Sequence, residues 1–384
     1  MIKNSLPSLK IFNLCIVSLI FVGLLFIGLS SSTEGLNLSD DQYLFFRKQI
    51  IWVIIGFGSF LAGRFVKIKL IQKAISFLYF FSIFLLLLVL IPQIGFSALG
   101  ASRRIDLGIF GVQPSEIIKL TAILFFANIF SKTTINSFKS LLLYLTPPLI
   151  LIIIEPNLST AVLLATIIIS LFYLSGGNIF TIFSIGIVAV SLSVLLIVTS
   201  PYRKARLTTS YHSNQLILSI GSGGFFGKGL GNSEQKYRFL PKIPTDSILA
   251  IIGEETGFLG MFFLTFIYFF IISYLFKLSL SLTSPFESLI VAGVGLWITF
   301  QTLINYAAIS GLIPLTGQPL PLISYGGSSL ITLLFSFGLV ENIQTRALLL
   351  YSIDNENSQS HSHHRSSPHS GHRADSPTPR RSKH

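Results

Sequence analysis

The sequence predicts an all-α polytopic membrane protein of about ten transmembrane helices, and three observations carry that expectation. Of the 384 residues, 51% are hydrophobic and only 11% charged, at a mean hydropathy of +0.73. Soluble domains carry about a quarter charged residues, so a chain this apolar cannot be wetted on all sides. Its apolar residues fall in runs close to the roughly 20 residues that a helix needs to cross a bilayer core. The short loops between the runs carry their lysines and arginines mostly on one face. A conventional soluble enzyme is therefore excluded. The single cysteine, Cys15, allows no internal disulfide, and six of the seven histidines lie after residue 360. Neither a Cys/His metal site nor a Cys-His nucleophile is expected.

Taken in order, Ile11–Ser30 supplies 20 uncharged residues behind Lys3 and Lys10. It is too long for a signal-peptide core and lacks a clear small-residue cleavage site, so it reads as a retained anchor. Further spans are expected at Gln49–Gly63, Ala74–Pro92, Ser115–Phe130, Leu141–Ile154, Thr160–Leu174, Ile179–Thr199, Thr256–Phe276, Ser288–Ile309 and Ile323–Leu339. Two uncharged runs are too long for one span. Pro156–Tyr202, 47 residues, divides at the turn Ser175-Gly176-Gly177-Asn178. Ser288–Val340, 53 residues, is broken by Gly311, Pro314, Gly317, Pro319 and Pro321.

Ten spans place both termini on one side. Lys3/Lys10, Arg64/Lys67/Lys69/Lys73, Lys132/Lys139, Lys277 and the basic tail mark that side as cytoplasmic. The expected organisation is a cytoplasmic N-terminus (1–10), a transmembrane domain (11–350) and a cytoplasmic tail (351–384). The transmembrane domain carries a large extracytoplasmic loop, 200–246, between the seventh and eighth spans. The tail, rich in Ser, His, Arg and Pro, cannot bury enough surface to order itself and is expected near anionic membrane lipid.

The formal balance is 27 basic against 15 acidic residues, a net charge of +12. Eleven basic residues fall on the outer face, at Arg47/Lys48, Arg103/Arg104 and through Arg203–Lys242. Long loops cross regardless of charge, which is one explanation. The other is an anionic ligand bound there.

Ionisable residues at membrane depth are costly and mark candidate sites. Glu116 and Lys119, three residues apart after Gln113-Pro114-Ser115, share one helical face and can neutralise each other. They read either as a structural pair or as the border of a polar cavity. Glu155-Pro156-Asn157 marks a turn between the fifth and sixth spans. Glu254 and Glu255 interrupt an apolar stretch, and two adjacent carboxylates there are expected to face a wet cavity.

Between Gly221 and Gly231 the outer loop holds six glycines in 11 residues around Lys228. Ser222 and Gly229 stand where a phosphate-binding loop needs Gly and Ser or Thr, so no nucleotide cofactor is expected. The glycines suit tight turns and close approach to a large ligand. Asp246 closes this basic region and opens a helical pattern. It can serve as a helix N-cap, or, amid cations, as a base or metal ligand.

Three blocks together resemble the SEDS family, the FtsW/RodA proteins of shape, elongation, division and sporulation. They are Gly100-Ala101-Ser102-Arg103…Asp106-Leu107-Gly108…Gln113-Pro114-Ser115-Glu116-Ile117-Ile118-Lys119, the loop from Ile220 to Gly260, and Gly311-Leu312-Ile313-Pro314…Leu320-Pro321-Leu322-Ile323-Ser324-Tyr325-Gly326-Gly327-Ser328-Ser329. The fragment Gly229-Leu230-Gly231-Asn232-Ser233, with Leu240-Pro241, resembles the FtsW branch more than RodA. The resemblance implies a peptidoglycan glycosyltransferase that polymerises lipid II outside the cytoplasmic (inner) membrane and releases undecaprenyl pyrophosphate. It implies Asp246 as the catalytic residue, with Arg103, Glu116, Lys119, Lys228, Lys236 and Ser324 at the substrate. A divalent cation, Mg or Mn, is an expected helper, with Asp246 its candidate ligand. Expected partners are a class B penicillin-binding protein and other membrane proteins of the division septum; no nucleic acid is expected.

The sequence departs from the family pattern at Arg104, where Trp is usual, and at Pro244, in place of a common His. Asn157 and Ser159 replace the Asp and Gly of a Glu-Pro-Asp-x-Gly-Thr block. Two rival readings are a flippase for the lipid-linked precursor, since broken helices and buried charges suit a transporter, and a scaffold that activates the transpeptidase.

Overall fold

The computed structural model describes residues 8–30, 41, 43–91, 95–98, 101–106, 111–132, 137–178, 180, 186, 210–234 and 247–365. The expected seventh span apart from Phe180 and Gly186, Lys236, Asp246 and the last residues of the tail lie outside them. The chain runs α1 (Leu9–Ser30), α2 (Leu44–Phe65), α3 (Ile68–Val89), β1 (Gly95–Ala98), β2 (Ala101–Asp106), β3 (Gly111–Val112), α4 (Pro114–Phe130), α5 (Ser137–Ile154), α6 (Leu158–Leu174), α7 (Ser210–Ser222), α8 (Ile248–Ser281), α9 (Pro285–Ile309) and α10 (Gly327–Arg365). Among the described residues six helices are long and apolar enough to cross a membrane, and α5 and α6 are shorter apolar helices. The protein is a multi-pass membrane protein.

Local chemistry sets the helix ends. Pro114 and Pro285 open α4 and α9 at the first turn, where a missing N–H costs nothing. Ser284 accepts the Glu287 N–H at the start of α9. The turn expected at 175–178 closes α6: Gly176, at φ 96°, donates to the Tyr173 carbonyl and Gly177 to that of Phe172. This paired arrangement caps the last carbonyls of a helix.

Helices α4 and α9 form the centre, with nearly every α4 side chain buried. They meet where Gly293 faces Ile123, leaving no room for a β-carbon. The α2–α10 contact is closer still. A β-carbon on Gly338 would lie 2.0 Å from the Phe60 carbonyl oxygen, and one on Gly63 2.4 Å from that of Phe335. Small residues let two membrane helices approach in this way. At the end of the contact Asn342 donates to the Gly63 and Val66 carbonyls, and Arg64 pairs with Glu341 at 3.0 Å. Gly338→Ala is expected to destabilise the protein by about 1–3 kcal/mol, the usual cost of overpacking. Gly58→Ala, where a β-carbon meets nothing within 4 Å, serves as the neutral control. Unfolding midpoints in detergent check the pair; equal midpoints would remove this contact from the fold's support.

The structure corrects several expected boundaries. Helix α2 begins at Leu44, so Arg47 and Lys48 sit in its first turns instead of an outer loop. Helix α8 begins at Ile248, not 256, because its first two turns are a separate helical piece before a break at Gly257 (φ 64°, ψ −162°). Helix α10 starts at Gly327, not Ile323, and its backbone remains helical to Arg365, beyond the boundary set at 351. Within the expected outer loop, α7 is helical and packs Leu216 and Ser219 inward. Strands β1–β3, in that order, form an antiparallel sheet that no hydrophobic alternation announced.

Candidate active site

Three groups of contacts gather the candidate residues. The first surrounds Lys119. Its ammonium lies 2.8 Å from Glu116 Oε2, donates to Gln301 Oε1 at 3.2 Å and stands 4.9 Å from the centre of the Trp297 ring. Trp297 Nε1 also donates to Gln301 Oε1, and Gln301 Nε2 donates to the Pro319 carbonyl. Lys119 is fully buried. A charge there persists only when paired and hydrogen-bonded, and both conditions hold. The chain of contacts ties α4 through α9 to the non-helical segment 311–326.

That segment is braced elsewhere as well. Asn305 donates to the Gln318 carbonyl, and Gln318 Nε2 donates to Ser159 and Thr160 at the start of α6. Ser159 in turn donates to the Thr316 carbonyl, and Asn157 Oδ1 accepts from Thr160. The departures at 157 and 159 are thus hydrogen-bonding members of this network. Tyr268 donates to the Pro321 carbonyl at 2.5 Å. Ser324 Oγ accepts the Leu320 N–H at 2.8 Å and closes a turn, beside Leu322 at φ 65°. A branched side chain in left-handed backbone is strained and persists where its surroundings fix it.

The second group is the sheet. Phe96 pairs with Arg104 and Ser97 with Ser102, so Arg103 falls at the bulge between them. Bulges re-aim side chains and are frequent beside active sites. The Gln113 N–H bonds Ser328 Oγ, which donates to the Gly111 carbonyl. Strand β3, the start of the Glu116–Lys119 helix and the first turn of α10 therefore meet. Arg104 is exposed.

The third group corrects an expectation. Where a wet cavity was expected, Glu254 and Glu255 are buried, and among the described residues both are taken up by the glycine-rich loop. Glu254 Oε1 accepts from Lys228 Nζ at 2.9 Å and from the Glu234 N–H at 3.2 Å. Its Oε2 accepts from Ser233 Oγ at 2.6 Å and Ser219 Oγ at 3.2 Å. Glu255 Oε2 accepts the Gly231 N–H at 2.8 Å. The break at Gly257 explains this. It frees the carbonyls of Glu254 and Glu255 and the N–H groups of Phe258 and Leu259 from their helical partners. The loop supplies all four replacements: Lys228 and Gly229 donate, and the carbonyls of Gly224 and Phe225 accept. Gly227 permits the approach, since a β-carbon there would stand 2.1 Å from the Glu255 carbonyl oxygen. The Glu254 hydrogen bond raises the Lys228 ammonium above the ordinary lysine value, keeping it charged.

Among the described residues Lys119 pairs with Glu116 and Gln301, and Lys228 with Glu254 and Glu234. Asp246 and Lys236 lie outside the described residues, as does Pro244. The N-cap of α8 is Ser247, without a side-chain cap bond. Among the described residues no group of three His, Cys, Asp or Glu side chains could hold a metal ion.

Residues 10–348 match the profile of the FtsW, RodA and SpoVE family, described as cell cycle proteins. The chain belongs to this family. The probable peptidoglycan glycosyltransferase FtsW of Buchnera aphidicola subsp. Schizaphis graminum is 35% identical over 82% of this chain and 94% of its own length. The protein of that name from Escherichia coli O157:H7 is 32% identical over 77% of this chain and 76% of its own. A chain of a peptidoglycan synthase complex superposes with a TM-score of 0.73 at 23% identity, over 88% of this chain and 97% of that one. The rod shape determining protein RodA of Thermus thermophilus does so at 0.68 and 24% identity, over 88% and 96%. The fold is that of these family members. Family motifs did not single out Trp297, Gln301 and Asn305, which bind the central pair and the broken segment. Their signal was available: a polar or indole group at every fourth position of an apolar span.

Proposed function

We propose that the protein is a peptidoglycan glycosyltransferase of the FtsW branch, extending glycan strands from lipid II at the division septum. The observation that carries the reading is the near full-length match to relatives named for that activity, at 35% identity over 94% of the first. An acceptor sugar hydroxyl attacks the anomeric carbon of the donor. The new C–O bond forms as the bond to undecaprenyl pyrophosphate breaks, and the electron pair leaves with the pyrophosphate. Asp246 takes the hydroxyl proton as general base. Arg103, Lys228 and Lys236 neutralise charge developing on the leaving group. Glu116, Lys119 and Ser324 hold the broken segment in place. Asp246, the expected ligand of a divalent cation, lies outside the described residues, and such a cation would add to the neutralisation that the basic side chains supply. The match to a chain of a peptidoglycan synthase complex supports a class B penicillin-binding protein as partner.

The deciding experiment uses purified protein, its transpeptidase partner and labelled lipid II in detergent, with no sealed membrane. Glycan chains resolved on a gel are the expected product. A transporter would produce none there and would act only in sealed vesicles.

A further inference from the structure

We propose that the tip of the glycine-rich loop, Phe225-Phe226, is seated in the outer leaflet of the bilayer and covered there by lipid. Beyond its break at Gly257, α8 crosses the membrane. Phe258–Phe276 is 19 residues without a charge, ending against Lys277 on the side that the basic loops mark as cytoplasmic. At about 1.5 Å per residue that stretch spans roughly 28 Å, close to the thickness of the hydrocarbon core. Phe258 therefore stands at the outer edge of the hydrocarbon. Direct contact brings the loop to the same depth. The Phe225 ring stacks on Phe258 with centroids 5.7 Å apart, and Phe226 packs edge-on against Phe225 at 5.0 Å. Phe258 stacks in turn on Phe262, 6.3 Å away. Phe262, Phe263, Phe266 and Phe269 continue along the span, each more than half exposed, as residues that face lipid are. Phe225 is 56% and Phe226 77% exposed, so the loop tip extends the lipid-facing side of α8. Between His212 and Lys228 the chain carries no charge to oppose this placement.

Irregular backbone at membrane depth persists only where its polar groups are satisfied within the protein. Here the carbonyls of Gly224 and Phe225 accept from the Phe258 and Leu259 N–H groups at 2.9 and 3.1 Å, and the Gly227 N–H donates to the Gly223 carbonyl at 2.8 Å. The loop thus turns its backbone to α8 and leaves its two phenyl rings outside. Glycine at 257 allows the approach, since a β-carbon there would lie 2.8 Å from the Phe225 carbonyl. The first charge after the tip, Lys228, is paired with Glu254 at 2.9 Å, as suits a cation close to hydrocarbon.

The test places a nitroxide at residue 226 of the full chain, carrying C15S and F226C, in liposomes of phosphatidylethanolamine and phosphatidylglycerol. F262C on the span and E234C, whose side chain is 80% exposed, supply the lipid and water references. Molecular oxygen concentrates in hydrocarbon and a nickel chelate in water. The label at 226 is expected to relax as it does at 262, faster with oxygen and slower with nickel than at 234. Relaxation as at 234 would overturn the proposal. Protection from both reagents, in the chain alone or with its transpeptidase partner, would give this face to protein and overturn it equally. A second measurement needs no substitution. Hydroxyl radicals generated in the water are expected to leave Phe225 and Phe226 of the unaltered chain as unmodified as Phe262, and oxidation of both rings would refute lipid cover. Neither readout depends on glycan synthesis, so the outcome is independent of the proposed activity.

Discussion

Replacing Asp246 by asparagine is expected to abolish glycan polymerisation while the protein still folds and binds its transpeptidase. Asparagine keeps the shape of the side chain but cannot accept the hydroxyl proton. General-base assistance contributes about 100- to 10,000-fold, so a loss of chain growth on that scale is expected. Ser247 occupies the N-cap position of α8. Lipid II with purified complex in detergent, read as chain length on a gel, makes the measurement, and co-purification of the partner reports integrity. Equal chains from both proteins would take Asp246 out of the mechanism. A scaffold would tolerate the change outright.

Where a single element carried its own signal, the sequence was readable. Uncharged runs near 20 residues announced α1, α3 and α9, and the Ser175–Asn178 turn announced the end of α6. Boundaries failed where charge entered a helix. Arg47 and Lys48 were placed in a loop because charged residues rarely begin a span, yet Arg47 reaches Asp41 at 3.4 Å from the first turn of α2. Glu254 and Glu255 hid the start of α8, since their neutralising donors come from a loop some 20 residues earlier and no local pattern shows them. The sheet was missed because Arg103, Arg104 and Asp106 leave β2 no apolar face to reveal a period of two. In the candidate site, the three-residue spacing of Glu116 and Lys119 put them on one helical face. Their third partner, Gln301, stands 182 positions away and belongs to tertiary structure.

Lys119→Met is expected to be the most destabilising single change in the described bundle, at about 3–5 kcal/mol, the cost of stranding one half of a buried ion pair. Methionine fits the volume but leaves Glu116 buried without its cation. It also removes the donor that, with Trp297, holds Gln301 Oε1 in place. Because Gln301 Nε2 fixes the Pro319 carbonyl, the broken segment loosens along with the pair. Adding Glu116→Met to the same protein should recover most of the loss, since a buried pair replaced on both sides by apolar residues of similar volume is often neutral. A double-mutant cycle on unfolding in detergent measures the coupling directly. Polymerisation sorts the role. If Lys119 braces the segment, the double variant regains stability and activity together. A double variant that is stable yet inactive would put Lys119 in contact with substrate, and a stable single variant would show that the pair does not hold the bundle.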